Sequence, residues 1–145
     1  MKIKKYAGFW VRLLAFIIDG ILLWIVNVGI GIVIAIISAL MNLAMRGSGV
    51  IASSVGSLIS FGIYIGYYVY MVGSHGQTFG KMIMKIKVQR LDGVKSVGYG
   101  TAFLREILGK FISGLVLGFG YLWMVRDGKK QTWHDKIAGT IVVNI

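Results

Sequence analysis

The stretch Arg12-Leu-Leu-Ala-Phe-Ile-Ile-Asp19-Gly-Ile-Leu-Leu-Trp-Ile-Val26 decides how this chain is read. Asp19 is the single ionisable residue in an apolar run of 33 residues from Leu13 to Met45. About 20 apolar residues already cross a bilayer as a helix, so Asp19 is expected inside a membrane span. A carboxylate at that depth costs at least ~2.5–3.5 kcal/mol, and an intramembrane acid is therefore read first as a functional site. Arg12 lies seven residues upstream, two helical turns away on the same face. The two together predict a charged strip turned toward protein or water and away from lipid.

Composition places the whole chain in the membrane class. Of its 145 residues 57% are hydrophobic and only 14% charged, and the mean hydropathy is +0.78. The length predicts one all-α membrane domain over residues 1–145, a small bundle of three to four transmembrane or re-entrant helices. Without cysteine there is no disulfide framework, thiolate nucleophile or sulfur metal site. Met1-Lys-Ile-Lys-Lys5 resembles the basic start of a signal peptide, but the apolar run behind it is far too long, so it is expected to be a retained first span. The net charge of +11 invites a nucleic-acid partner. Since the lysines and arginines flank apolar spans, membrane topology explains them more simply and no nucleic acid is expected.

Spans are expected at about 13–45, 50–72 and 102–125, with a polar cytoplasmic loop at 73–101 and a basic segment at 126–145. The first is long enough that it must tilt, protrude or break, and Gly29 and Gly31 are the expected places for a change of direction or close packing. A polar turn, Arg46-Gly-Ser-Gly49, leads to the second span. There Ser53, Ser57, Ser60, Tyr64 and Tyr67 fall on one stripe, readable as a polar lining opposite Asp19 or as ordinary packing, while Gly62 and Gly66 form a GxxxG. Lys81, Lys85, Lys87, Arg90 and Lys95 face a single acid, Asp92, in the loop, which orients loop and N-terminus to the cytoplasm. Alternation over Ile83–Val88 with Asp92-Gly93 behind it predicts a short β-hairpin at the membrane surface. From Leu104 to Leu115 the apolar residues occupy one face and Arg105, Glu106, Lys110 and Ser113 the other, as in an interfacial amphipathic helix. Two outcomes stay open for this region: a full span from Ala102 to Val125, or an amphipathic helix leading into a re-entrant return around Gly114, Gly118 and Gly120. Arg126, Lys129, Lys130 and Lys136 favour the return, with the C-terminus inside.

Arg12, Asp19 and Asp135, together with Gly76-Gln-Thr-Phe-Gly-Lys81, Ile86-Lys-Val88, Asp92-Gly93 and Trp133-His-Asp-Lys-Ile-Ala-Gly-Thr140, give the chain its resemblance to a known family. From about Ala7 to Val143 it resembles the RDD family of small bacterial and archaeal membrane proteins, named for an Arg at the start of the first helix, an Asp within it and a second Asp near the C-terminus. The resemblance implies a prokaryotic plasma-membrane protein. It implies transport of unidentified ligands, with sodium/proton antiport associated with some members.

Each candidate site has a functional and a structural reading. Asp19 is expected to bind a proton or sodium ion, or to form a buried structural pair with Arg12 or another basic residue. His134-Asp135 offers a relay or pH sensor near neutrality, the resemblance pointing to Asp135; the alternative is a helix cap begun by Thr132. Gly76-Gln-Thr-Phe-Gly-Lys81 looks like a phosphate loop but is one residue short between its glycines and lacks the hydroxyl after lysine, so a surface turn with lysines near lipid phosphates is expected. His75 and His134 lie far apart and no metal site or cofactor is expected. No nucleophile and base stand at a usable spacing, so no catalytic residue is assigned and an enzyme is not expected. The first functional expectation is a cation/proton transporter or ion-pathway component carried by Asp19 and Asp135, supported by Arg12 and His134. With so few spans it requires a homo-oligomer within membrane lipid. The second is a non-transporting membrane module for assembly or lipid sensing, in which Arg12, Asp19 and Asp135 are structural.

Overall fold

The computed structural model describes residues 5–44, 49–94, 96–115 and 119–145, the side chains of residues 41–53 excepted. The turn expected at 46–48, Lys95, Gly118 and the Ser53 side chain lie outside that range. In chain order the elements are helices α1 (Phe9–Ala44), α2 (Gly49–His75) and α3 (Phe79–Ile83), strand β1 (Ile86–Arg90) and helix α4 (Tyr99–Phe103). A π-helical segment (Leu104–Gly109), α5 (Lys110–Leu115), α6 (Phe119–Leu122), a 3-10 turn (Trp123–Val125), α7 (Trp133–Ile137) and strand β2 (Thr140–Asn144) follow. The fold is that of an all-α membrane protein with one small sheet. Phe9–Leu40 and Ser54–His75 are long and apolar enough to cross a bilayer.

The chain divides into two compact units. Gly20–Gly66 holds most of α1 and α2. Here α1 is unbroken over 36 residues, so neither Gly29 nor Gly31 turns it, and a Cβ at either would meet open space. The expected GxxxG is also open, since a Cβ at Gly62 or Gly66 would touch nothing. Close approach falls instead at Gly56, where a Cβ would lie 2.7 Å from Ile34 Cδ1. Large apolar side chains such as Trp24, Ile25, Ile32 and Leu58 are exposed, as lipid-facing residues should be.

The second unit joins the chain up to Asp19 with Tyr67–Ile145. Its core is made of small and β-branched residues: Ala7 and Ala15 at the start of α1, Val72 at the end of α2, Ile86 and Val88 of β1, Val97, Ala102 and Val142. The alanines let helix backbones approach closely. β1 does not fold into the local hairpin that Asp92-Gly93 implied. It pairs antiparallel with β2 from the C-terminus, Val88 opposite Val142, and Tyr6 bridges to Val143 beyond it. The run Thr140-Ile-Val-Val143 is the better strand former, since all four of its residues are buried and β-branched.

This pairing bounds the third apolar region. The region follows Gly98, whose N–H donates to Gly73 O at 3.1 Å, and the chain is back beside Arg90 at Thr140. Both ends are tied into the same unit, as a re-entrant return would require, and Tyr6 of the N-terminal segment bridges to Val143 of the C-terminal strand. Tyr99–Leu115 and Phe119–Val125 meet at 109°. α6 crosses α5 closely enough that a Cβ on Gly120 would lie 2.6 Å from Ser113 Cα. Gly120→Ala is therefore expected to lower stability by about 1–3 kcal/mol, while Gly62→Ala leaves it unchanged or slightly raised; thermal unfolding in detergent of the two variants side by side checks this.

Candidate functional site

Asp19 sits eleven residues into α1 and is 1% exposed. Its carboxylate is met by three donors. Tyr67 Oη donates to Oδ1 at 2.7 Å, Gly80 N to Oδ1 at 2.7 Å and Thr78 Oγ1 to Oδ2 at 2.5 Å. All three are neutral, and two come from Gly76-Gln-Thr-Phe-Gly-Lys81. That loop is built for the task. Gly76 turns with φ +71°, and a Cβ there would lie 2.7 Å from Val88 O. Gln77 Nε2 donates to Ile86 O at 2.9 Å, and Thr78 caps α3 by accepting from Lys81 N. Gly80 leaves no room for a side chain, since its Cβ would lie 2.1 Å from Ala15 O. Tyr67 in turn accepts from Phe79 N at 3.0 Å. The loop with the look of a phosphate cradle thus receives the protein's own carboxylate, and the expected surface turn is a buried joint.

Arg12 does not reach Asp19. Its Nη1 donates to Asp135 Oδ2 at 2.6 Å and its Nη2 to Lys130 O at 2.7 Å. Asp135 also receives Arg105, from Nε at 2.9 Å and Nη2 at 2.8 Å, both to Oδ1. It serves as well in the cap foreseen for it, a capping box with Thr132 at the start of α7. Burial alone would raise the Asp135 carboxyl, but Arg105, His134 and Arg12 outweigh it and hold its pKa well below the usual carboxylate range. Arg105 Nη1 continues the chain of charges to Glu106, which is also paired with Lys81 Nζ at 3.2 Å and Lys110 Nζ at 2.6 Å. Lys110 Nζ lies 4.2 Å from the centre of the Tyr68 ring.

His134 does not fit a relay working near neutrality. It is buried, its Nε2 stays 3.9 Å from Asp135, and Nδ1 lies 3.3 Å from Ser113 Oγ. Burial, with Arg105 adding to it, pushes the imidazole pKa down to about 3, so the ring is neutral at ordinary pH. The stripe on α2 also divides. Tyr67 reaches Asp19, while Ser57 and Tyr64 are exposed and Ser60 is half-buried.

The amphipathic segment keeps its apolar face outward, as an interfacial helix would, but its polar face is buried within the protein and not set in water. Arg105, Glu106 and Ser113 are buried, while Leu104, Leu108, Phe111 and Leu115 are exposed. In lipid the apolar face is the outer one, and the charges turn in to find partners. Arg105, Glu106, Lys81, Lys110, Thr78 and Gly80 are therefore site residues that the sequence reading placed elsewhere or left aside. The charged cluster borders a cavity of about 530 Å³, lined by Arg12, Asp19, Lys81, Arg105 and Lys110 and otherwise by mostly apolar and aromatic side chains. Among the described residues no group of three or more acids and histidines is placed to hold a metal.

Known proteins are similar to this chain over most of its length. The chain is 30% identical over 139 residues to the uncharacterized membrane protein YteJ of Bacillus subtilis, covering 96% of this chain and 81% of that one. It is 32% identical over 155 residues to YxaI of the same organism, covering 97% and 98%. The proline-rich antigen homolog of Mycobacterium tuberculosis is 29% identical over the whole chain, which spans 66% of that longer protein. No solved structure matches. The RDD family profile matches residues 6–139, with Arg12, Asp19 and Asp135 all inside the match, and the chain belongs to the RDD family.

Proposed function

We propose that this protein is a non-transporting membrane module, for assembly or lipid sensing, in which Arg12, Asp19 and Asp135 are structural. The observation that carries this reading is the coordination of Asp19. Its oxygens accept from a tyrosine hydroxyl, a helix-capping threonine and a backbone amide, and each donor is itself fixed by a further bond or a tight backbone contact. A carboxylate that exchanges a proton for a cation must release its partners on every cycle, and these partners are part of the fold. Arg12 and Asp135 likewise tie the start of α1 to α7. The lysines and arginines of residues 81–90 and 126–136 fall on the polar cap shared by N-terminal segment and C-terminal strand, so the positive-inside rule puts that cap in the cytoplasm, with the spans in a prokaryotic plasma membrane.

One observation favours the carrier reading, in which a homo-oligomer exchanges sodium for protons: Asp19 lines the cavity. Sodium-driven proton movement in proteoliposomes separates the two. The native protein is expected to match empty liposomes, and a flux that vanishes in Asp19→Asn would overturn the proposal. Asp19→Asn should instead lower stability by roughly 2–3 kcal/mol, because an amide turns a donor toward groups that are already donors.

The ion pairs make a graded expectation. Arg105→Gln should cost about 3–5 kcal/mol, the usual loss when a buried pair is broken from one side. Arg12→Gln should cost less, since Asp135 keeps Arg105; denaturation in detergent checks the order. Acid sensitivity follows from His134 and Asp135. The native His134 binds its proton less readily than the unfolded one, so stability is lost as pH falls from about 6.5 toward 3. The depressed Asp135 pKa adds a further loss below about pH 4. A pH series of melting temperatures should show both steps, and His134→Gln only the lower one.

A further inference from the structure

The charged cluster is not balanced from within. Arg12, Lys81, Arg105 and Lys110 supply four positive charges, and Asp19, Glu106 and Asp135 supply three negative ones, His134 being neutral. One positive charge is left over beside a cavity whose other walls are mostly apolar. Asp19 relieves none of it by direct pairing, because neutral groups take its oxygens. Three cations share Glu106 alone or with Asp135. Arg12 Nε is buried with no hydrogen-bond partner among the described residues, and Arg12 lines the cavity. Burial first, and then Arg105 and Lys110 against the opposing pull of Glu106, lower the Lys81 pKa to about 8.

We propose that this cavity binds one anionic phospholipid, its phosphate at the Arg12, Lys81 and Lys110 side chains and its acyl chains along Phe9, Leu13, Phe16 and Leu122. The proposal deepens the non-transporting reading by naming the lipid class, and it rests on that reading's fixed charges. A phosphodiester supplies the single missing negative charge. The volume of about 530 Å³ accommodates a head group with the first part of its chains. Phe9 and Phe16 belong to the first turns of α1, and Phe16 packs 5.5 Å from Lys110 Nζ, so the charged and apolar walls are continuous. Basic pockets beside membrane helices bind lipid head groups in this manner. A zwitterionic lipid brings no net charge, and a free anion has nothing to place against the apolar wall.

The test is binding of short-chain phosphatidylglycerol, short-chain phosphatidylcholine and inorganic phosphate to the purified full chain in neutral detergent, read by native mass spectrometry and thermal shift. Phosphatidylglycerol is expected to bind at least about fivefold tighter than phosphatidylcholine, the worth of one uncompensated positive charge, and phosphate alone to produce no shift. Lys110→Gln leaves Glu106 two cations and balances the cluster, so it should fold and lose most of that preference. Leu122→Trp fills the apolar wall without changing charge and should weaken phosphatidylglycerol binding, which keeps the proposal open to refutation if Lys110→Gln does not fold. Lys129→Gln, on the surface, should bind as the native protein does. Equal binding of the two lipids, phosphate acting as well as lipid, or native binding by both cavity variants overturns the proposal. Sodium-driven flux would overturn the non-transporting reading while leaving lipid selectivity measurable, so the two failures are distinguishable.

Discussion

Asp135 accepts two guanidinium groups from distant parts of the chain, and the arrangement of the second unit depends on it. Arg12 comes from the first turn of α1, Arg105 from the π-helical segment, and Asp135 itself stands in the first turn of α7. Removing either arginine from water is costly, and the cost is met only if a carboxylate lies within hydrogen-bonding distance of both. The acid therefore fixes three elements at once. Breaking one pair leaves a buried charge uncompensated, so such a network specifies one arrangement even where its net contribution to stability is small.

The surrounding medium determines which face of a helix is the inner one. Leu104 to Leu115 has the pattern of an amphipathic helix, and in water its apolar stripe would be the buried one. Here Leu108, Phe111 and Leu115 face outward, while Arg105 and Glu106 are buried among partners. The periodicity was legible; its sense followed from where the charges found acids and cations, which no local window contains. Glu106 illustrates the point, since it gathers Lys81 from α3 as well as Lys110 four residues on.

Much of the architecture was open to reading from the residues. The long first apolar helix with Asp19 inside it, the cap at Thr132 and the family pattern all follow from spacing and hydropathy. The return of the third apolar region followed from charge only as the favoured alternative, and the pairing of β1 with β2 agrees with it. Long-range contacts were not legible. Asp92-Gly93 signalled a turn correctly, with Gly93 at φ +80°, yet β1 took its partner from Thr140–Asn144, about fifty residues on. Gly56 became the close approach and Gly62 did not, because the choice depends on where Ile34 stands on the facing helix. For Asp19 one signal existed: Tyr67 was on the expected stripe, and a hydroxyl about two turns from the end of a span is placed to meet an acid in the first half of another. The role of Thr78 and Gly80 needed the fold, since a loop of glycines and a lysine points outward on sequence alone.

Why position 19 is an acid can be answered without ion exchange. Three N–H and O–H groups converge there: the Tyr67 and Thr78 hydroxyls and the Gly80 amide. An ionised carboxylate is the side chain that offers acceptors only, whereas asparagine or glutamine would aim an NH₂ group at one of these donors. Leaving a buried donor unmet costs about 1–3 kcal/mol. The hydroxyls have some freedom to rotate and the amide has none, because α3 is capped in place by Thr78 and Gly80 is pressed against Ala15 O. A backbone N–H fixed at a helix start sets the demand for a strong acceptor, and the negative charge is the form that meets it. The acid at membrane depth is then a consequence of how α3 docks on α1, and its charge becomes part of the balance that the neighbouring cations must satisfy.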